Sequence, residues 1–189
     1  MLSLLNSQYF YHEENTPPSP LRTLWRNAAA SRLMTIDQTR LPHTLLVVTL
    51  SSSTDIYHAI RNMTLRGAPL IGAAAAYGLY FALAEAQTQS DADAYFAQQT
   101  ELLRSSRPTA VNLFWAIDRC LAAIAKGSNP EEKKWLALQQ ADAIVQEDIE
   151  TCRLIGVHGL PILQAAAQRK APNQALNILT HCNAGMLGC

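Results

Sequence analysis

The sequence has no excess of either charge: fifteen Lys and Arg balance fifteen Asp and Glu across 189 residues. That balance removes the broad basic footprint by which a protein grips nucleic acid, although a local anion site needs only one or two arginines. Charged residues make up 16% and apolar ones 49%, which excludes a disordered chain. Cysteine is scarce. The four present, Cys120, Cys152, Cys182 and Cys189, form no CxxC pair and no zinc-like alternation with histidine. Reduced thiols and no metal site are therefore expected. No run reaches the roughly 18 apolar residues of a membrane span. The first twenty residues lack a basic segment followed by an apolar run and a small-residue cleavage site. Internal repeats and charged low-complexity tracts are absent too. Together these absences lead to the expectation of a soluble cytoplasmic protein with neither membrane nor nucleic acid as a partner.

What the chain does have is a set of short apolar segments followed by a long helical tract. Residues 1–20 end in TPPSP, which cannot continue a helix or a central strand and reads as a flexible lead-in. Residues 21–25, 32–37 and 44–50 read as a small antiparallel sheet. Ser53 or Thr54 can cap a helix through Met63, with Asp55 in its first turn and Ile56, Ile60 and Met63 on one side. A further helix is expected over 91–104. Another is expected over 110–126, capped by Thr109, with Val111, Phe114, Ile117 and Leu121 on its buried face and Gly127 ending it. Asn129, Pro130, Glu131 and Glu132 form a helix start. That helix should reach Ile155 and bury Trp135, Leu138, Val145, Ile149 and Cys152. Gly156 and Gly159 should loosen the pattern before a last short helix over 160–168. Residues 175–180 read as a strand running into His181 and Cys182.

The densest signal is the stretch 66–79, RGAPLIGAAAAYGL. Proline is tolerated in the first turn of a helix, so a helix should begin near Ala68 or Pro69 with Arg66 at its positive end. Backbone donors, helix dipole and guanidinium would converge there on a phosphate or carboxylate. A second reading is a tight turn before a helix whose small face lets a neighbour pack closely. Taken alone, so short a motif favours the turn. Arg107 stands in the same position ahead of a second helix. By itself it reads as a solvated loop residue.

Three stretches change that balance: 63–78, MTLRGAPLIGAAAAYG; 106–113, SRPTAVNL; and 178–185, ILTHCNAG. Together, in this order and spacing, they resemble methylthioribose-1-phosphate isomerase of methionine salvage. Supporting pieces are LRTLW at 21–25, IDQTRLP at 36–42 and CRLIGVHG at 152–159. The wider superfamily includes ribose-1,5-bisphosphate isomerases and non-catalytic regulatory subunits of the eukaryotic initiation-factor exchange complex. Both remain alternatives, an interaction fragment among them. HCNAG and the intact arginine motifs favour the methylthioribose-phosphate branch.

The resemblance implies conversion of an aldose 1-phosphate to a ketose 1-phosphate, with no nucleotide or redox cofactor. It assigns substrate binding to Arg66, Gly67, Ala68 and Arg107, and makes Cys182 the active-site cysteine. Its implied partner is a phosphorylated sugar, and it implies a homodimer for full-length members. Consecutive residues on an extended strand face opposite sides, so His181 and Cys182 would not form an adjacent acid/base pair. The implied fold is an α+β domain over 21–172, a small antiparallel sheet plus a helical bundle. Residues 173–189 would then be only the first strand of a Rossmann-like α/β domain. The family's catalytic aspartate lies in that second domain, and the resemblance fades within the last two residues. A truncated chain with little activity of its own is the expectation.

Overall fold

The computed structural model describes residues 22–27, 29–171 and 173–181. Three short strands, β1 (Leu24–Arg26), β2 (Leu33–Ile36) and β3 (Val47–Leu50), form one antiparallel sheet in the order β1-β2-β3. Register places Leu24 opposite Thr35 and Leu33 opposite Leu50. Leu24, Leu33 and Leu50 are buried and join the core that the helices build, so the expected sheet is present and caps that core.

Five helices follow among the described residues: α1 (Ser53–Arg61), α2 (Ala68–Ala86), α3 (Ala92–Ser105), α4 (Val111–Ile124) and α5 (Pro130–Gln168). The stretch singled out in the sequence becomes the central α2, which packs against each of the other four. Its alanines and glycines allow that. Small side chains let several backbones approach one helix closely, and thirteen of its nineteen residues are buried. By length and composition α2 could cross a membrane, a feature that counting only uninterrupted apolar residues overlooks. Most of it is enclosed by the rest of the fold.

Packing against α2 also explains where the faces differ from expectation. In α5 the buried residues are Ala137, Ala141 and Ile144, whereas Trp135 is exposed and Ile149 stands at the margin. Cys152 is half-buried and outside the core. In α4 Leu113, Ala116, Ile117 and Cys120 are buried, and Val111 is 78% exposed. The rest of each expected face holds: Ile117 is in the core, and Phe114, Leu121, Leu138 and Val145 are partly buried against it. In α5 close approach to a helix of alanines places Ala137 and Ala141 at the deepest positions, beside Ile144.

Helix ends differ as well. Ser52, rather than Ser53 or Thr54, caps α1, its side chain accepting from the Asp55 N–H. The helix stops at Arg61, and Met63 takes a left-handed φ of 64° and is exposed. Its N–H donates to the Ile60 carbonyl and that of Leu65 to the Ala59 carbonyl, which turns the chain toward α2. At α4 the N-cap is Ala110 and not Thr109. The break expected after Ile155 is absent, and α5 runs unbroken for 39 residues with Pro161 inside it. Gly156 and Gly159 have no neighbouring atoms where a Cβ would stand, so no packing forces the helix to end there. Past Pro161, the good helix formers Leu163 to Gln168 carry it.

Residues 174–181 form neither helix nor strand, contrary to the strand expected at 175–180. A strand needs a ladder, and no described segment pairs with this one. Ile178 and Leu179 are exposed. The lead-in at 1–20 and Cys182 fall outside the described residues.

Candidate anion-binding site

Three of the five helices have their N-terminal donors capped by a side chain, Ser52 for α1, Asp91 for α3 and Asn129 for α5. All three also carry acidic residues in the first turn. The remaining two, α2 and α4, have neither: the N-caps Gly67 and Ala110 supply no side-chain bond, and the first turns hold no carboxylate. These are the two helices preceded by the arginines. A helix start without cap or carboxylate leaves its early N–H groups and its positive dipole end available to an external anion.

The same two helix starts are brought together. A Cβ built on Gly72 would lie 2.9 Å from the Asn112 backbone oxygen and 3.4 Å from the Ala116 Cβ. Residue five of α2 therefore touches residue two of α4. The loops holding Arg66 and Arg107 leave the helix pair at this shared end. Gly67 joins Arg66 to α2 at φ 115°, in the region that favours glycine, and its carbonyl accepts the Ile71 N–H at 3.0 Å. Arg66 and Arg107 are both half-buried, and among the described residues neither forms an ion pair with a carboxylate.

Arg66 is held from below by Gln38, which singling out charged and nucleophilic residues passes over. The Gln38 N–H donates to the Thr64 carbonyl at 3.1 Å, its Nε2 donates to the Arg66 carbonyl at 3.1 Å, and its Oε1 accepts from Arg66 Nε at 3.3 Å. Asp37 supports the turn, with Oδ1 accepting from the Thr39 N–H at 2.9 Å and the Thr39 hydroxyl at 2.6 Å. The only sequence signal for Gln38 was its place in IDQTRLP, directly after an apolar strand.

Two polar networks fix the scaffold. Asp142 of α5 accepts a paired hydrogen bond from Arg26 of β1, at 2.8 Å on each oxygen, and another from the Tyr77 hydroxyl of α2 at 2.7 Å. Burial alone would raise the Asp142 pKa, but the Arg26 and Tyr77 hydrogen bonds outweigh it and hold the carboxyl below its ordinary value. Burial, then the bond to Asp142, pushes the Tyr77 hydroxyl up. At the other end of α2, Glu85 accepts from the Ser53 N–H at 2.8 Å and from the Tyr95 hydroxyl at 3.0 Å. These contacts tie α2 to β1, α1, α3 and α5, so the helix that presents Arg66 is fixed along its length.

Cys120 is fully buried, and burial pushes its thiol up to about 12, a core residue and not a nucleophile. His181 is exposed. No group of three or more His, Cys, Asp or Glu side chains converges among the described residues.

Residues 64–188 match the family described as the Initiation factor 2 subunit family. The chain belongs to this family. The match begins two residues before Arg66 and takes in Arg107 and the HCNAG segment. Among curated relatives, the chain is similar to methylthioribose-1-phosphate isomerase of Desulfosudis oleivorans, 39% identical over 174 residues, covering 92% of this chain and 47% of that protein. It is 46% identical over 169 residues to the same-named protein of Paramagnetospirillum magneticum, covering 89% and 45%. Among solved structures, 5-methylthioribose 1-phosphate isomerase from Pyrococcus horikoshii superposes with a TM-score of 0.74 at 34% identity, over 95% of this chain and 48% of that one. Subunit delta of the initiation factor eIF-2B from A. fulgidus superposes with a TM-score of 0.62 at 39% identity, over 69% and 38%. The chain thus spans about half the length of the curated relatives it matches.

Proposed function

We propose that this chain acts in the conversion of 5-methylthioribose 1-phosphate to 5-methylthioribulose 1-phosphate, in methionine salvage, and that its part is to hold the phosphate. The observation that carries the reading is the meeting of two uncapped helix starts, α2 and α4, each preceded by an arginine that forms no ion pair among the described residues. Arg66, the Gly67 and Ala68 backbone and Arg107 bind the substrate. A planar guanidinium grips phosphate at two oxygens and keeps its charge, which suits both positions. The reaction moves hydrogen from C2 to C1 with no net oxidation, so it calls for no nucleotide or redox cofactor. Its demands are an anchored phosphate, ring opening and stabilised charge on the sugar oxygens. Cys182 serves there as acid/base or transition-state stabiliser.

We further infer that residues from 173 onward open a Rossmann-like unit that supplies the catalytic aspartate, and that the working enzyme is a cytoplasmic homodimer. Supporting the Rossmann-like unit is that 174–181 have no partner strand among the described residues, with Leu179 99% exposed. The 189-residue polypeptide by itself is then expected to convert the aldose phosphate slowly or not at all. Phosphorus NMR of a purified sample checks that, and a normal enzyme rate would refute it. Binding is the direct test of the site. Calorimetric titration should show affinity for the sugar phosphate, and Arg66→Ala or Arg107→Ala should weaken it. Affinity indifferent to both substitutions would remove the assignment.

The likeness to an initiation-factor subunit favours one second reading, a non-catalytic partner of longer family members. Light scattering after co-elution with an intact isomerase separates the two, since a stable mixed complex that binds no sugar phosphate supports the second.

A further inference from the structure

We propose that Gln38 is a positioning residue for anion recognition, holding the Arg66 guanidinium so that its two terminal nitrogens face the anion. The inference rests on the phosphate site proposed above. Gln38 is 2% exposed, so its amide is enclosed and its bonds are not shared with bulk water. Both ends of that amide go to one residue. Nε2 donates to the Arg66 carbonyl at 3.1 Å, and Oε1 accepts from Arg66 Nε at 3.3 Å. Of the amide and acid side chains, only one with a donor and an acceptor can serve both groups. The paired use fixes the orientation of the amide and, through it, both the backbone and the side chain of Arg66.

Using Nε as the anchoring donor leaves Nη1 and Nη2, the two groups with which a guanidinium makes parallel bonds to a phosphate. Neutrality matters as much as shape. A carboxylate in place of the amide would pair with Arg66, offset its charge and repel an incoming anion. Gln38 instead steers the arginine without discharging it. Its own place is secured by the bond from its N–H to the Thr64 carbonyl and by the Asp37 turn, both continuing from the end of β2. The end of β2 is thereby connected to the anion site through a buried side chain.

The test uses the full chain, inorganic phosphate as the probe, and Gln38→Met, Gln38→Glu and Arg66→Ala variants. Two signals are followed: the Arg66 Nε–H resonance by NMR and phosphate affinity by titration. Expected is an exchange-protected Arg66 Nε–H that is lost in Q38M. Phosphate affinity should fall about tenfold in Q38M, further in Q38E, and to background in R66A. Circular dichroism and a thermal melt check that each variant is folded. If Q38M unfolds, Q38E, which keeps the acceptor, carries the comparison. Phosphate binding that depends on Arg66 but is unchanged in both Gln38 variants would overturn the Gln38 role alone. No phosphate binding by the unmodified chain would overturn the anion reading and this inference with it.

Discussion

Gly72 of α2 sits so close to Asn112 of α4 that a Cβ on the glycine would stand 2.9 Å from the Asn112 carbonyl oxygen. Backbone meets backbone here, so nothing flexible can yield. The contact sets the distance between the two helix starts, and with it the spacing of the Arg66 and Arg107 loops. Gly72→Ala is therefore expected to destabilise the fold by about 1 to 3 kcal/mol through overpacking, read as a lower denaturant midpoint. Gly72→Val should cost more.

Gly67 makes a separate demand. At φ 115° any L side chain is strained. Gly67→Ala should lose about 1 to 2 kcal/mol, measurable by urea unfolding, with the secondary structure seen by circular dichroism retained. A midpoint equal to that of the unmodified chain would mean the turn adopts another conformation.

Much of this organisation was legible in the sequence. Pro69 after Arg66-Gly67-Ala68 marked the start of α2, and Asn129-Pro130 with two acids marked that of α5. The sheet followed from short apolar segments separated by turns. What stayed hidden depends on partners distant in sequence. Val111 and Trp135 look like core residues by size and spacing, yet Leu113 is the deeper position at the start of α4, and in α5 an alanine-faced α2 admits the small Ala137 and Ala141. Gly156 and Gly159 look like a break, and nothing packs near them to make one. Within the site, arginine is conspicuous in a sequence, whereas Gln38 acquires meaning only when β2 delivers it beneath Arg66.

The Arg26, Tyr77 and Asp142 network gives a pH dependence of defined sign. Asp142 has its pKa lowered from 3.8 in the folded chain, so near and below that value the unfolded state binds more protons. The stabilisation it confers is present above pH 3.8 and is lost as pH falls through the folded value. Asp142→Asn should flatten this acid limb, and should cost about 1 to 2 kcal/mol at pH 7 by leaving Arg26 without its carboxylate. Urea midpoints measured from pH 2 to 7 for both proteins check it. An identical acid limb in the variant would place the titration elsewhere.

Thiol labelling separates buried from accessible sulfur. With its thiol pushed up to about 12 and no exposed surface, Cys120 should resist maleimide at pH 8 in the folded chain and react on unfolding. Half-buried Cys152 should label sooner. Peptide mass spectrometry over a time course reads both, and equal rates would contradict the packing of α4 against α2.

The central claim is that Arg66 and Arg107, at the joined starts of α2 and α4, hold the phosphate of a sugar phosphate. The most direct measurement compares binding of 5-methylthioribose 1-phosphate and its dephosphorylated sugar to the unmodified chain, Arg66→Ala, Arg107→Ala and the double variant. Removing either arginine should cost about 1.5 to 3 kcal/mol with the phosphorylated ligand and almost nothing with the bare sugar. Equal losses with both ligands, or no loss with either, would contradict it.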